Sequence, residues 1–148
     1  MPRLRQITIE GFRSISDQVV MNFPENQPAV LIGENNSGKS NITRAIELLF
    51  GEFHPKYKKL DDFDYYNRDP SNLVSIEANV TGLKGTLSKY GTHYGCSGFR
   101  FRARNRSEND FVGVQSEDGE ENQYVRAELR DELLCVIVTS EQNLNYQL

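Results

Sequence analysis

The stretch "GENNSGKSN" has the residue types and the spacing that bind phosphate. It matches the pattern G-x-x-x-x-G-K-[ST] through Gly33, Gly38, Lys39 and Ser40. The glycines allow the backbone to curl, so that successive N–H groups point toward phosphate oxygens. Lys39 is predicted to reach the β- and γ-phosphates, and Ser40 to place its hydroxyl on Mg²⁺.

Apolar runs on both sides of this loop predict the elements that position it. Residues 29–32, "AVLI", are four apolar residues in succession, which predicts a central strand covered on both faces. Apolar residues recur at helical spacing after the loop: Ile42, Ala45, Ile46 and Leu49. Gly51 is placed to end that helix. The order strand, loop, helix is the context that the motif requires, and it disfavours a plain glycine-rich turn capped by Ser37.

Alternating apolar positions predict a second set of strands, paired antiparallel. They occur in "RQITIE", "VVMNF", "VSIEANV", "FRFRAR", "FVGV" and "QYVRA". The pair Asp118-Gly119 predicts a hairpin between the last two segments. "FHPKYKKLDDFDYYNRDPSN" predicts an irregular connection with one turn of helix. Within it, "DDFDYYNRD" has three close acids, Asp61, Asp62 and Asp64, for which a solvated loop with packed aromatic residues is favoured over a metal site. "AELRDELL" predicts a short helix, and "CVIV" a second buried strand.

Hydrolysis of a nucleotide needs more than a phosphate cradle. An acidic residue must hold the metal, and another group must position water. The later candidate strand, "CVIV", is followed by "TSEQ" and has no aspartate at its end. Glu141 is a poor substitute, because the acid that binds Mg²⁺ is usually an aspartate.

Two segments together resemble the ABC-type ATPases of the SMC, Rad50, RecF and OLD-nuclease group. Gly11-Phe12-Arg13-Ser14 is similar to the "NFRS"-like strand end of that group, and Gly33 to Asn41 to its "GxNxxGKSN" loop. The resemblance implies an α/β P-loop NTPase fold, with a mixed sheet core and an adjoining antiparallel β-subdomain. Residues 1–148 would then form a single partial domain, the amino-terminal lobe.

The same resemblance implies the binding residues. Those that bind nucleotide would be Arg13, Gly33, Asn35, Asn36, Ser37, Gly38, Lys39, Ser40 and Asn41. Ser40 would hold Mg²⁺ together with a Q-loop glutamine, for which Gln142 is the better match and Gln147 the rival.

The group's "LSGGQ"-like signature, Walker B strand and switch histidine do not occur in this sequence. In this group, two heads enclose ATP between the P-loop of one and the signature motif of the other. The resemblance therefore implies a missing carboxy-terminal lobe and an ATP-dependent homodimer, with this chain alone inactive or very slow. The work of the complete protein would be DNA repair, recombination or defence against foreign DNA. Two alternatives remain: a small P-loop kinase, and a non-catalytic interaction module that binds nucleotide structurally.

Composition excludes several classes of protein. No apolar run approaches the roughly 20 residues that span a bilayer, and two cysteines are too few for a disulfide framework, so we expect a cytoplasmic protein. The net charge of −4 is unlike that of a dedicated nucleic-acid binder. Arg100, Arg102 and Arg104 alternate along one predicted strand face and could contact DNA phosphates. Alternation alone produces such a face, so a solvated surface is the favoured interpretation.

Overall fold

Six strands pair into one sheet in the part of the chain that the structure describes. The structure is a computed structural model that describes residues 3–34, 38–51, 60–82, 96–104, 111–116 and 122–124. The strands are β1 (Arg3–Glu10), β2 (Val19–Asn22), β3 (Leu73–Thr81), β4 (Cys96–Arg104), β5 (Phe111–Ser116) and β6 (Asn122–Tyr124). Their spatial order is β2-β1-β3-β4-β5-β6, and every pairing is antiparallel. Five of the six segments with alternating apolar residues are confirmed as strands, and "QYVRA" is confirmed at Gln123 and Tyr124, its other residues lying outside the described ones.

The core lies between this sheet and helix α1 (Lys39–Phe50). On the sheet side, Ile7 lies opposite Ala78 and Ile9 opposite Ile76, and all four are almost fully buried. On the helix side, the most deeply buried residues are Ala45, Leu48, Leu49 and Phe50. Ile42 and Ile46 pack against the same cluster but are only partly buried. Burying one such side chain contributes about 1.5–3 kcal/mol, so this helix is held to the sheet by its apolar stripe.

Glycines mark both ends of α1, as the sequence predicts for the carboxyl end. Gly51 donates its N–H to the Glu47 carbonyl oxygen at 2.7 Å. Its φ of −74° is open to any residue, but a Cβ there would lie 2.4 Å from that same carbonyl oxygen. Close approach of backbone, rather than a left-handed conformation, therefore requires glycine at this position.

The connection that follows α1 returns to the sheet through two short 3₁₀ turns, Asp62–Asp64 and Tyr66–Arg68. They confirm the predicted helical turn in "DDFDYYNRDPSN". Tyr65 between them is 1% exposed and pairs with Phe12 through an isolated β-bridge. The connection is thus attached to the turn that follows β1.

The prediction of a buried central strand over residues 29–32 is wrong for the described structure. These residues form no strand, and Val30, Leu31 and Ile32 are 73%, 40% and 91% exposed. A run that is apolar on both faces needs neighbours on both faces, and none of the described strands pairs with it. The predicted helix in "AELRDELL" and the strand in "CVIV" lie outside the described residues.

Candidate phosphate-binding site

Helix α1 begins directly after Gly38, the last residue before its first turn. Gly38 adopts a left-handed conformation, with φ of 89°, and its carbonyl oxygen accepts from the N–H groups of Asn41 and Ile42 at 3.0 and 3.2 Å. The helix therefore begins at Lys39. Among the residues that the structure describes, no side chain caps this end, and no acidic residue lies in its first turn. The backbone N–H groups of this first turn and the positive end of the helix dipole favour an anion at this place.

Lys39 adds a full positive charge at the same place. Its Nζ donates to the carbonyl oxygens of Gly33 and Glu34, both at 2.6 Å. These contacts fold the lysine side chain back over the loop, so the ammonium group is held beside the helix end. Ser40, the next residue, is exposed on the first turn. A phosphate that approached the helix end would meet both groups.

The turn after β1 contacts the first turn of α1. Asn41 Nδ2 donates to Ser14 Oγ at 2.7 Å. A Cβ on Gly38 would lie 3.8 Å from the same hydroxyl oxygen. The two segments that carry the family resemblance, far apart in sequence, are therefore neighbours in the fold.

The turn that holds Ser14 is fixed by backbone contacts. Gly11 has φ of 66°, and a Cβ there would lie 2.0 Å from the Leu73 carbonyl oxygen. The Gly11 carbonyl oxygen accepts from Tyr66 N–H at 3.0 Å, and Arg13 N–H donates to the Asp64 carbonyl oxygen at 3.0 Å. The chain can therefore make this turn only if residue 11 is glycine.

Arg13 makes a close ion pair within this turn. Its Nε and Nη2 lie 3.0 and 2.9 Å from Asp64 Oδ1. The Asp64 side chain is 5% exposed and that of Arg13 is 33% exposed. The acid is thus buried, whereas the guanidinium group still reaches solvent.

Sequence reasoning did not find Asp64. It assigned the acids of "DDFD" to a solvated loop, which is wrong for Asp64, although the prediction of a packed aromatic residue is right for Tyr65. Asp61 caps the 3₁₀ turn by accepting from Phe63 N–H at 2.8 Å. An acid between aromatic residues, "FDYY", was the available signal, because a carboxylate in apolar surroundings needs a cationic partner.

The structure brings together Gly33, Gly38, Lys39, Ser40 and Asn41 from the predicted set. Arg13 lies in the adjoining turn after β1, where its side chain pairs with Asp64. Asn35, Asn36 and Ser37 lie outside the described residues, as do Glu141 and both glutamines, Gln142 and Gln147. Within the described ranges, no cluster of three or more His, Cys, Asp or Glu side chains could hold a metal ion.

Arg100 lies opposite Glu77 in the register of β3 and β4. Among the described helices, none is long and apolar enough to cross a membrane.

Comparison with known proteins places this geometry in a family. Residues 3–147 match the family model described as the AAA ATPase domain. A chromosome partition protein Smc from Desulfitobacterium hafniense is 43% identical over 89 residues, which cover 54% of this chain and 7% of that protein. A DNA replication and repair protein RecF from Rickettsia felis is 31% identical over 80 residues, which cover 54% of this chain and 21% of that protein. The chain therefore spans less than a quarter of either relative.

Solved structures show the same fold. A chain solved in work on ATP-driven dimerization and DNA-stimulated activation of SMC ATPases superposes with a TM-score of 0.62 at 16% identity, covering 98% of this chain and 91% of that chain. The Smc head domain of Pyrococcus yayanosii gives a TM-score of 0.58 at 20% identity, over 90% of this chain and 25% of that chain. These likenesses confirm the P-loop NTPase fold that the sequence predicts. Since the family model matches nearly the whole chain, from residue 3 to residue 147, this protein belongs to the AAA ATPase domain family, with SMC and RecF proteins among its relatives.

Proposed function

We propose that this chain is the ATP-binding amino-terminal lobe of an SMC/RecF/OLD-like ATPase. One observation carries the proposal: the Lys39 ammonium group is held 2.6 Å from two loop carbonyl oxygens, beside a helix end that no side chain of the described residues caps. A triphosphate placed there would gain the lysine charge, the backbone N–H groups and the helix dipole together. Family membership supports nucleotide as the ligand.

Mg²⁺ would accompany ATP, with the exposed hydroxyl of Ser40 as a protein ligand and the phosphates as further oxygen ligands. Gln142 would add a second protein oxygen. Asn35, Asn36 and Ser37 would complete the loop around the phosphates, as their match to the "GxNxxGKSN" loop implies.

The exposed apolar residues 29–32 favour a second ATPase lobe as a partner that covers them. Val30 and Ile32 are 73% and 91% exposed, next to the phosphate loop. Such a run buries its apolar surface when strands flank it on both sides, as in the centre of an α/β sheet. The carboxy-terminal lobe of the complete protein would supply those strands, together with the signature motif and the acid that hydrolysis needs.

The complete protein would then hydrolyse ATP as an ATP-dependent homodimer. This hydrolysis would be coupled to DNA repair, recombination or defence against foreign DNA. Similarity to Smc and RecF proteins, whose names refer to chromosome partition and to DNA replication and repair, supports a role on DNA. The chain by itself would bind ATP but hydrolyse it slowly or not at all.

Titration of the 148-residue chain with a fluorescent ATP analogue and Mg²⁺ tests the proposal. We expect saturable binding that Lys39→Ala weakens by at least about tenfold, because charged hydrogen bonds contribute about 1.5–3 kcal/mol. Arg5→Ala, which removes a cation from β1 instead, is the matched control and should leave the affinity unchanged. Equal affinity of wild type and Lys39→Ala would exclude the site.

Hydrolysis assays separate the alternatives. The proposal expects phosphate release only when a carboxy-terminal lobe is supplied. Rapid phosphoryl transfer by the chain alone would favour the small P-loop kinase. Binding of ATP with no turnover in either assay would favour the non-catalytic module.

A further inference from the structure

Among the described residues, the guanidinium group of Arg13 is hydrogen-bonded along one edge, and its Cζ lies 5.6 Å from the centroid of the Phe12 ring. Nε and Nη2 both donate to the single oxygen Asp64 Oδ1, at 3.0 and 2.9 Å. Nη1 makes no hydrogen bond with the described residues. A guanidinium group has five N–H donors in a planar fork, so its Nη1 and Nη2 edge can still receive two acceptor oxygens. A phosphate group offers that arrangement of oxygens.

Asp64 is itself fixed in place. Its other oxygen, Oδ2, accepts from Asp61 N–H at 3.4 Å, and its backbone carbonyl oxygen accepts from Arg13 N–H. Its side chain is 5% exposed, so it has little room to follow a moving partner. Asp64 therefore determines where the guanidinium group lies, and not the reverse.

The open edge of Arg13 belongs to a residue that adjoins the phosphate loop. Ser14, the next residue, accepts from Asn41 Nδ2 in the first turn of α1. Arg13 itself sits in a left-handed conformation, with φ of 54°, which the contacts of Gly11 and Asp64 hold. The one-third of the arginine side chain that is exposed is thus carried by the same turn that touches the nucleotide-binding loop.

We propose that Asp64 is a positioning residue for nucleotide binding: it holds Arg13 by the Nε edge, so that the opposite edge of the guanidinium group binds phosphate oxygens of the nucleotide at Lys39. The inference rests on the proposed function, because it needs a nucleotide at that loop. Asp64 would not touch the nucleotide. It would prevent the long arginine side chain from sampling other rotamers, and would therefore reduce the conformational entropy lost on binding.

A cycle of four proteins tests this inference: wild type, Asp64→Asn, Arg13→Lys and the double variant, each as the full chain. The affinity of each protein for the ATP analogue is measured at a temperature well below its thermal unfolding midpoint. Asp64→Asn keeps the size of the side chain but loses its charge, and we expect it to weaken binding about three- to tenfold. Lysine cannot hold a carboxylate and a phosphate through one planar fork, so Arg13→Lys should weaken binding to a similar extent. Asp64→Asn should then cause no further loss in the Arg13→Lys protein.

Glu47→Gln is the matched control. It removes the charge from another arginine–carboxylate pair, Arg44–Glu47, on α1 about 12 Å along the helix from Lys39. This variant should bind ATP like the wild type.

If Asp64 only stabilised the fold, the four affinities would follow a different pattern. Asp64→Asn would then weaken binding by the same factor in both backgrounds, or change only the unfolding midpoint, and either outcome overturns the inference. If Asp64→Asn does not fold, Asp64→Glu replaces it in the same cycle: an equal loss of affinity in the wild-type and Arg13→Lys backgrounds overturns the inference, and a loss in the wild-type background alone supports it. Loss of affinity in Lys39→Ala without any loss in Asp64→Asn or Arg13→Lys would leave the proposed function standing and reject only the role of Asp64.

Discussion

Asn41 donates a hydrogen bond to Ser14 at 2.7 Å and thereby joins the first turn of α1 to the turn after β1. Asn41 directly follows Lys39 and Ser40, for which we propose phosphate and Mg²⁺ binding, and Ser14 directly follows Arg13. The contact joins the two segments that carry the family resemblance, and it places the turn that contains Arg13 beside the first turn of α1.

Removing this contact should weaken nucleotide binding without unfolding the protein. Ser14 is exposed, and a typical hydrogen bond contributes about 0.5–1.5 kcal/mol, so Ser14→Ala should lower ATP-analogue affinity about two- to tenfold. Ser16→Ala is the control, because the Ser16 hydroxyl bonds only to the neighbouring Asp17 among described residues. Equal losses in both variants would show that the turn is merely sensitive to substitution.

Gly11 and Gly38 should differ in their tolerance of a methyl group. In Gly11→Ala the new Cβ would meet the Leu73 carbonyl oxygen at 2.0 Å, in addition to the strain of a positive φ. In Gly38→Ala the nearest atom would be 3.8 Å away, so only the strain of about 1–3 kcal/mol applies. Urea unfolding should therefore show a larger loss for Gly11→Ala. A loss that is equal or smaller at Gly11 would contradict the backbone contact.

Leu49 and Ile32 should contribute very differently to the stability of this chain. Leu49 is 1% exposed in the core, so Leu49→Ala should reduce the free energy of unfolding by about 2–5 kcal/mol. Ile32 is 91% exposed, and Ile32→Ala should change it by less than about 0.5 kcal/mol. Chemical unfolding of the isolated chain measures both. A large loss from Ile32→Ala would mean that residues 29–32 are covered in the isolated chain.

The hydrogen bonds that Asp69 accepts should stabilise the protein at neutral pH and should be lost in acid. Ser71 donates its backbone N–H to Asp69 Oδ1 at 2.9 Å, and this bond, with a side-chain bond from the same serine, lowers the pKa of Asp69 below its ordinary 3.8. Because the folded pKa is the lower one, the stabilisation is complete above the unfolded pKa and is lost as the pH falls through the folded value.

Urea unfolding of wild type and Asp69→Asn at pH 6 and near pH 3 checks this sign. The wild type should be the more stable protein at pH 6, and the difference should shrink toward pH 3. A difference that grows with acidity would contradict the hydrogen bond to the carboxylate.

Local chemistry was sufficient to predict much of this protein. The P-loop motif depends on glycine backbone freedom and on the lysine and serine at fixed offsets, which are properties of nine consecutive residues. Alternation along β1 and β3 follows from a sheet with one buried face, and Ile7, Ile9 and Ile76 are on that face. Helix α1 ends where Gly51 predicts. These features need no knowledge of distant contacts.

Other features depend on which segments meet in three dimensions. "AVLI" has the composition of a buried strand, but whether it is buried depends on neighbouring strands, and the described strands pair elsewhere. Asp64 looks like one acid of a solvated loop until the 3₁₀ turn brings it to Arg13, 51 residues earlier in the chain. An ion pair and an exposed apolar run are both relations between distant segments. The ion pair follows from the packing of the 3₁₀ connection against the turn after β1, and the exposure of residues 29–32 follows from the pairing of the described strands with one another.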